Sequence, residues 1–484
     1  MGMGASLCHS TPIFILCPQI TSSSQMLYLQ QNPAFLPAQK NARGVAKPYR
    51  SRIAANRSRT KASANCEKSQ IVNCPKKPNS KLPKNKLHKK IRFFRHKTFF
   101  FFHKIIGKGV CPMLIIYDAL LLLLLFFHAK PAPRGQFHTD SNSMRADLPL
   151  RGFLMLVIVL HHLSQQLKNP GPMKLLWGAG ILCVSFFFFS SGYGLMKSHL
   201  EKPDYFHAFF RRRYSKLLLP FYLCNVLYLG VNLLSGRTYS FKRLIKCLLG
   251  FELVNTHAWF ILTIALFYLA FYLIFRFVHK RLLQYLLLFL FQTGYAAFCM
   301  QKGAGLQLFE GPWWFNSSIL FFMGVFFAGF EPVVMAFFRQ NYRLLMTLSV
   351  PVFLLFYTVS VYVTNAFPYQ TQSMSPLSPR MLKSWFDLGW QSLAVISFCL
   401  VIMLFSMKIK CSNPVLSFLG KISLELYLIH GLFIQLFKGQ LCMIQNDFLF
   451  IAAVLICSVV SAAILYYPLH AAVRRTQQLC MVHC

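Results

Sequence analysis

The chain has 484 residues, with 51 Lys and Arg against 12 Asp and Glu, a formal net charge of +39. Yet 55% of the residues are hydrophobic and 50 are Phe, and the mean hydropathy is +0.47. A soluble nucleic-acid binder accounts for the charge but not the apolar excess, and an ordinary water-soluble domain accounts for neither. Apolar runs near membrane-spanning length, with cations between them, indicate an all-α, polytopic membrane protein.

The charge divides the chain. Residues 1–150 hold 24 Lys/Arg and 4 Asp/Glu, and residues 151–484 hold 27 and 8. Most of the first block's cations fall between Lys40 and Lys108, among Pro, Ser and Asn with little apolar periodicity. Such a stretch buries too little apolar surface to fold, so 1–143 is predicted to be a basic, low-complexity, disordered segment. The run Lys81–Lys97 suits RNA or anionic lipid in composition, but a solvated tail is the simpler expectation and no nucleic-acid partner is expected. Met144 opens M-R-A-D-L-P-L-R-G-F just before the first organised segment, so a mis-assigned start is a second explanation for the tail. Residues 113–128 form an apolar run that is short for a span and carries Asp118; it suits an eleventh helix or a signal-like segment.

Ten apolar segments follow, at about 152–167, 175–196, 214–234, 258–278, 282–300, 314–330, 343–363, 386–407, 415–437 and 448–468. They predict a membrane domain over 144–476 with a short tail at 477–484 and the lipid bilayer as its surroundings. With Arg151 at the cytoplasmic edge and the helices alternating from there, 17 of the 27 Lys/Arg after residue 150 fall on the cytoplasmic side. That bias places both ends of the domain inside. The 235–257 loop, with four cations on the outer side, runs against it. Cys183, Cys224, Cys399 and Cys457 sit in apolar runs as small hydrophobes. The terminal C-M-V-H-C (480–484) offers at most three ligands, and no metal is expected.

The first segment reads R-G-F-L-M-L-V-I-V-L-H-H, from Arg151 to His162. Eleven residues make three helical turns plus about 20°, so Arg151 and His162 share a face, roughly 16 Å apart along the axis. A guanidinium at the membrane edge and an imidazole near the midplane, on one stripe, form a functional candidate. The second segment ends F-F-S-S-G-Y-G-L, and its Ser191, Gly192 and Tyr193 permit close backbone approach. The loop after it carries Arg211, Arg212, Arg213 and Lys216 ahead of Pro220; the positive-inside rule explains this charge, and a phosphate clamp would use it. The fourth segment opens N-T-H-A-W-F, with His257 and Trp259 expected near the outer interface, Trp259 as an aromatic-belt anchor. The ninth holds Glu425 in an apolar run, with Tyr427 and His430 three apart on one face. Gly324 and Ala328 in the sixth have small-xxx-small packing spacing. The poly-Phe runs read most simply as lipid-facing filler.

Taken in order, these segments resemble the membrane acyltransferase-3 family, which includes bacterial O-acetyltransferases of surface polysaccharides. Arg151 and His162 match its Arg-x10-His, and Phe188–Tyr193 is similar to its F-x-x-S-G-[FY] segment. Arg212, Arg213, Lys216, Pro220 and Tyr222 are similar to its basic stretch. His257, Trp259 and Phe260 are similar to H-x-W-[FY], and Leu419–His430 follows L-G-x-I-S-x-x-L-Y-L-x-H closely. The resemblance covers about 145–470. It implies about ten helices in the plasma membrane of a bacterium. It also implies transfer of an acyl group, usually acetyl, from cytoplasmic acyl-CoA to a hydroxyl of a sugar or lipid-linked glycan. Acetyl-CoA or another acyl-CoA is then the donor co-substrate. His162 serves as base with Arg151 at the catalytic centre, Arg211–Lys216 meet the CoA phosphates, and Trp259, Tyr427 and His430 line the acceptor side. Many members carry a Glu shortly after the Trp; here 261–268 has no acid. A proton-coupled carrier of a glycan or lipid is the rival class that intramembrane His and Glu would serve, although no half-to-half repeat is evident.

Overall fold

The computed structural model describes residues 114–138, 147–302, 308–309, 311–367, 378–439 and 442–478. Most of the basic segment, Met144 and the terminal Cys cluster lie outside these residues. The first described helix is α1 (Ile115–Phe126), followed by the two-residue strand β1 (Lys130–Pro131) and α2 (Asp147–Ser164). A 3-10 turn (Gly171–Gly178) runs into α3 (Ala179–Glu201). Next come α4 (Phe209–Leu234), the short α5 (Phe241–Leu249), α6 (Trp259–Phe277) and α7 (Arg281–Lys302). Helices α8 (Ile319–Gly329) and α9 (Glu331–Gln340) precede α10 (Tyr342–Ala366) and α11 (Pro379–Lys408). The chain ends its described course in β2 (Ile409–Lys410), α12 (Pro414–Lys421), α13 (Ser423–Lys438) and α14 (Asp447–Gln478).

The all-helical membrane architecture expected from composition is present. Seven described helices are long and apolar enough to cross a membrane, or nine if each of two bent pairs counts as one span. The bent pairs are the α8 region with α9, at 88°, and α12 with α13, at 80°. The α12–α13 bend falls inside the apolar run 415–437, because hydropathy registers apolar residues and not a change of direction, whereas the α8–α9 bend falls at the end of the run 314–330. The helix carrying Arg151 and His162 falls among the shorter apolar helices. So does α1, whose 12 residues reach about 18 Å, well under the roughly 30 Å hydrocarbon core.

Helix α1 is tied to the bundle. Tyr117 donates to the Phe448 carbonyl at 2.9 Å and Asn413 donates to the Leu124 carbonyl at 2.9 Å. Lys130 pairs with Lys410, and Pro131 with Ile409, in the antiparallel β1–β2 pair. Residues 114–138, upstream of Met144, are therefore part of the packed structure.

Glycines set two of the tightest helix crossings. A Cβ on Gly192 of α3 would strike the Phe321 carbonyl of α8, and one on Gly324 would strike the Phe189 carbonyl. The small-residue spacings thus mark a backbone-on-backbone crossing. A Cβ on Gly152 of α2 would strike the Leu416 carbonyl, and one on Gly420 of α12 the Leu148 carbonyl. The poly-Phe runs are not simply filler: Phe186, Phe188 and Phe321 are buried in the core, while Phe326 is exposed. The rings of a buried cluster interlock, as with Phe188 on Phe260 at 4.7 Å and Phe267 on Phe321 at 5.3 Å between centroids.

A candidate active site of three histidines

The α2–α12 crossing fixes the end of α13 against α2. Because Gly152 and Gly420 let the backbones touch, His162, in the last turn of α2, comes beside His430 of α13. The third histidine arrives from the turn before α6. Asn255 caps that turn: its side-chain oxygen accepts from the His257 N–H at 3.1 Å, and its amide donates to the Leu428 carbonyl of α13 at 2.8 Å. The Tyr427 hydroxyl donates to the His257 carbonyl. His257 is thereby held to α13 at two points, one before it and one at its own carbonyl.

The rings of His162 and His257 stand 4.2 Å apart, those of His162 and His430 5.3 Å, and those of His257 and His430 5.0 Å. His161 lies beside them, its ring 4.9 Å from His162. Its Nδ1–H donates to the Leu176 carbonyl at 2.9 Å, and the Gln165 amide donates to its Nε2 at 3.3 Å. His161 is therefore a satisfied, positioning histidine. His430 is fully buried, and its Nδ1–H donates to the Tyr427 and Leu426 carbonyls at 2.7 and 3.2 Å. That fixes the tautomer, because the lone pair must then sit on Nε2, which is buried without a partner. His162 Nδ1 is likewise buried without a partner. Each of these two rings thus keeps one open nitrogen. One nitrogen from each of the three rings lies within 4.8 Å of the others, a grouping that could hold a metal ion.

An apolar cavity of about 90 Å³ adjoins the cluster, lined by Met155 and Ile158 of α2, Val184 and Phe187 of α3, and Leu424 and Tyr427 of α13. Tyr427 belongs to both: it faces the cavity and holds the His257 backbone.

Other residues singled out in the sequence lie elsewhere or do other work. Trp259 is buried, its ring 5.9 Å from Trp314, so it is a core residue and not an interfacial anchor. Glu425 is buried on α13, within electrostatic reach of Cys224 of α4. Ser191 is half-buried and Gly192 makes the α3–α8 crossing. Tyr193 donates to Glu331 at 2.9 Å, and Lys197 pairs with the same carboxylate at 2.7 Å, which ties α3 to α9. Arg151 Nε is buried without a partner.

The basic cluster divides in two. Arg212 donates to the Tyr205 and His207 carbonyls, both at 2.6 Å, and Arg213 donates to the Tyr205 hydroxyl, Ser198 and the Gly194 carbonyl. These two brace the α3–α4 loop. Burial pushes the Tyr205 phenol above its ordinary pKa, so Arg213 meets a neutral hydroxyl. Arg211 and Lys216 make no such brace, and Arg211 Nε is buried without a partner.

Three further residues shape the site: Asn255, Gly152 and Gly420. Asn255 was visible as a cap two residues before His257, and Gly152 and Gly420 were visible as glycines inside apolar helices. Among comparisons, the family model described as an acyltransferase domain matches residues 150–467, more than half of the chain. No curated protein and no solved structure matches it. With its apolar helices and this domain match, the chain belongs to the acyltransferase-3 family of multi-pass membrane proteins.

Proposed function

We propose that this membrane acyltransferase is an O-acyltransferase of the bacterial plasma membrane. It moves an acyl group, acetyl in the simplest case, from cytoplasmic acyl-CoA to a hydroxyl of a sugar or lipid-linked glycan. The observation that carries this is the convergence of His162, His257 and His430 from three separate stretches of chain.

The acceptor oxygen attacks the thioester carbonyl, a new C–O bond forms, and the C–S bond breaks. The acceptor's proton passes to a ring nitrogen of His162 and on to the departing thiolate, giving free CoA. An imidazole nitrogen that carries a lone pair can take that proton and give it back, which suits both halves of the transfer. His430 and His257 pack on His162 and hold its ring; Tyr427 steadies His257. The apolar cavity beside them suits the acyl group. Arg151, Arg211 and Lys216 suit the CoA phosphates, and Arg212 and Arg213 keep that loop in shape.

His162→Ala, purified and given radiolabelled acetyl-CoA with a glycan acceptor, is expected to lose transfer by about 10²–10⁴-fold, as general-base loss does. Full retained transfer would overturn the base assignment. Glycan movement without thioester loss would favour a carrier instead.

A further inference from the structure

We propose that a buried polar stripe on α4, continued by Gln435 of α13 and the cationic face of α5, binds an acceptor that is rich in hydroxyls and negatively charged. This rests on the acyltransfer reading above and names its acceptor class.

The stripe begins at Asn225. It is 1% exposed, in the middle of a membrane-spanning helix, and neither its amide nitrogen nor its amide oxygen has a partner. An unsatisfied carboxamide is costly in such a place, so it points to a ligand that both donates and accepts, as a hydroxyl does. Asn232 lies seven residues on, within about 20° of the same face, and is also 1% exposed. Between them is Tyr228, whose hydroxyl flanks Gly431 together with the His257 ring. A Cβ at Gly431 would strike both. The stripe therefore passes the histidine cluster at Tyr228.

Beyond the cluster, the Gln435 amide donates to Asn232 at 2.5 Å, and the Asn232 amide donates to the Tyr239 hydroxyl at 2.9 Å. Tyr239 lies under the Arg243 guanidinium, 5.4 Å from its ring centroid. Arg243 opens α5, which Ser240 caps at its start and Gly250, at φ +81°, ends. At 100° per residue, Lys242, Lys246 and Arg243 fall within about 100° of arc, Leu244, Leu248, Phe241 and Ile245 fill the other side, and Leu249 borders Lys242. Only Cys247 is buried; Phe241, Ile245 and Leu249 are exposed. The apolar arc is thus turned aside from the protein, as in a helix lying in the bilayer surface with its cations toward the headgroups. Arg243 is committed to Glu252 at 2.5 Å, which leaves Lys242 and Lys246 for an external anion. Two of the four cations of the 235–257 loop that ran against the topology bias, Lys242 and Lys246, are thereby explained as ligand-binding charge.

The test uses the full chain in lipid nanodiscs with phosphatidylinositol as probe, since it joins a phosphate to free ring hydroxyls. Phosphatidylserine (charge without the polyol) and octyl glucoside (polyol without charge) are the controls. Native mass spectrometry is expected to show phosphatidylinositol retained roughly tenfold over either, the equivalent of one good hydrogen bond or ion contact. Asn225→Leu is expected to erase the preference over phosphatidylserine, and Lys242→Gln with Lys246→Gln the preference over octyl glucoside. Asn232→Ser repeats the first arm should Asn225→Leu fold poorly. Retention no better than the controls, or unchanged in these variants, overturns the proposal. Because retention is read without turnover, a chain that binds the probe but consumes no acetyl-CoA would leave the acceptor track standing and refute the acyltransferase reading.

Discussion

At the scale of the residue, hydrogen-bond pattern separates three histidines that look alike in sequence. His161 has both nitrogens satisfied, whereas His430 has one fixed on backbone carbonyls and one open, and His162 has an open Nδ1. Removing a satisfied histidine should cost stability, and removing an open one should cost turnover. His430→Ala is therefore expected to lower kcat by at least about tenfold and, because the ring is fully buried, to lower the thermal midpoint too. His161→Ala is expected to lower the midpoint with a smaller loss of kcat. Tyr427→Phe deletes the hydrogen bond to the His257 carbonyl, worth about 0.5–1.5 kcal/mol. It is expected to lower kcat more than it raises the donor KM, because His257 would be released from its place beside His162. Side-by-side thermal melts and steady-state kinetics of the three variants check this ordering.

At the scale of the element, the site depends on two glycine-mediated crossings. Gly152 and Gly420 press α2 onto α12, and Gly192 and Gly324 press α3 onto α8. Adding side chains where the facing atom is backbone forces the helices apart, and overpacking costs about 1–3 kcal/mol or more. Gly152→Val is expected to reduce both folded yield and transfer, because α12 leads directly into the helix of His430. Gly194, where an added Cβ meets nothing within 4 Å, is the internal control: Gly194→Ala should leave both unchanged. Size-exclusion profiles and transfer rates of the pair report the difference. The helix bends belong to this scale as well. The run 415–437 was legible as apolar, but its 80° turn at Ile422 was not, because a bend of this kind is set by what each half packs against.

At the scale of the whole molecule, residues 114–138, upstream of Met144, have a structural role. Leu114, Tyr117 and Leu121 are buried, and α1 is hydrogen-bonded to the rest of the bundle through Tyr117 and Asn413. Deleting residues 1–143 is expected to lower the thermal midpoint, and tryptic mass spectrometry of the native protein is expected to return peptides that begin before Met144. A protein that starts at Met144 and is fully stable would contradict this. The cations of the membrane domain serve different ends in different places: Arg212 and Arg213 brace a loop, Lys197 joins α3 to α9, and Lys242 and Lys246 stand free on a surface helix.

The amino-acid sequence alone determined that this is an all-helical membrane protein, and motif order along it pointed to the acyltransferase-3 family. Both follow from local properties: apolar length decides insertion, and residue types at fixed spacing along one helix are visible without the fold. It also singled out His162, His257 and His430, one by one. Only the tertiary structure decided that they meet. Their contact depends on glycine crossings, on the cap of Asn255 and on the bend before Ser423, each a relation between segments far apart in the chain. For the same reason it was the fold that turned Trp259 and much of the poly-Phe sequence inward: burial of an apolar ring in a membrane protein is decided by its neighbours and not by its hydrophobicity, since lipid and protein interior are equally apolar.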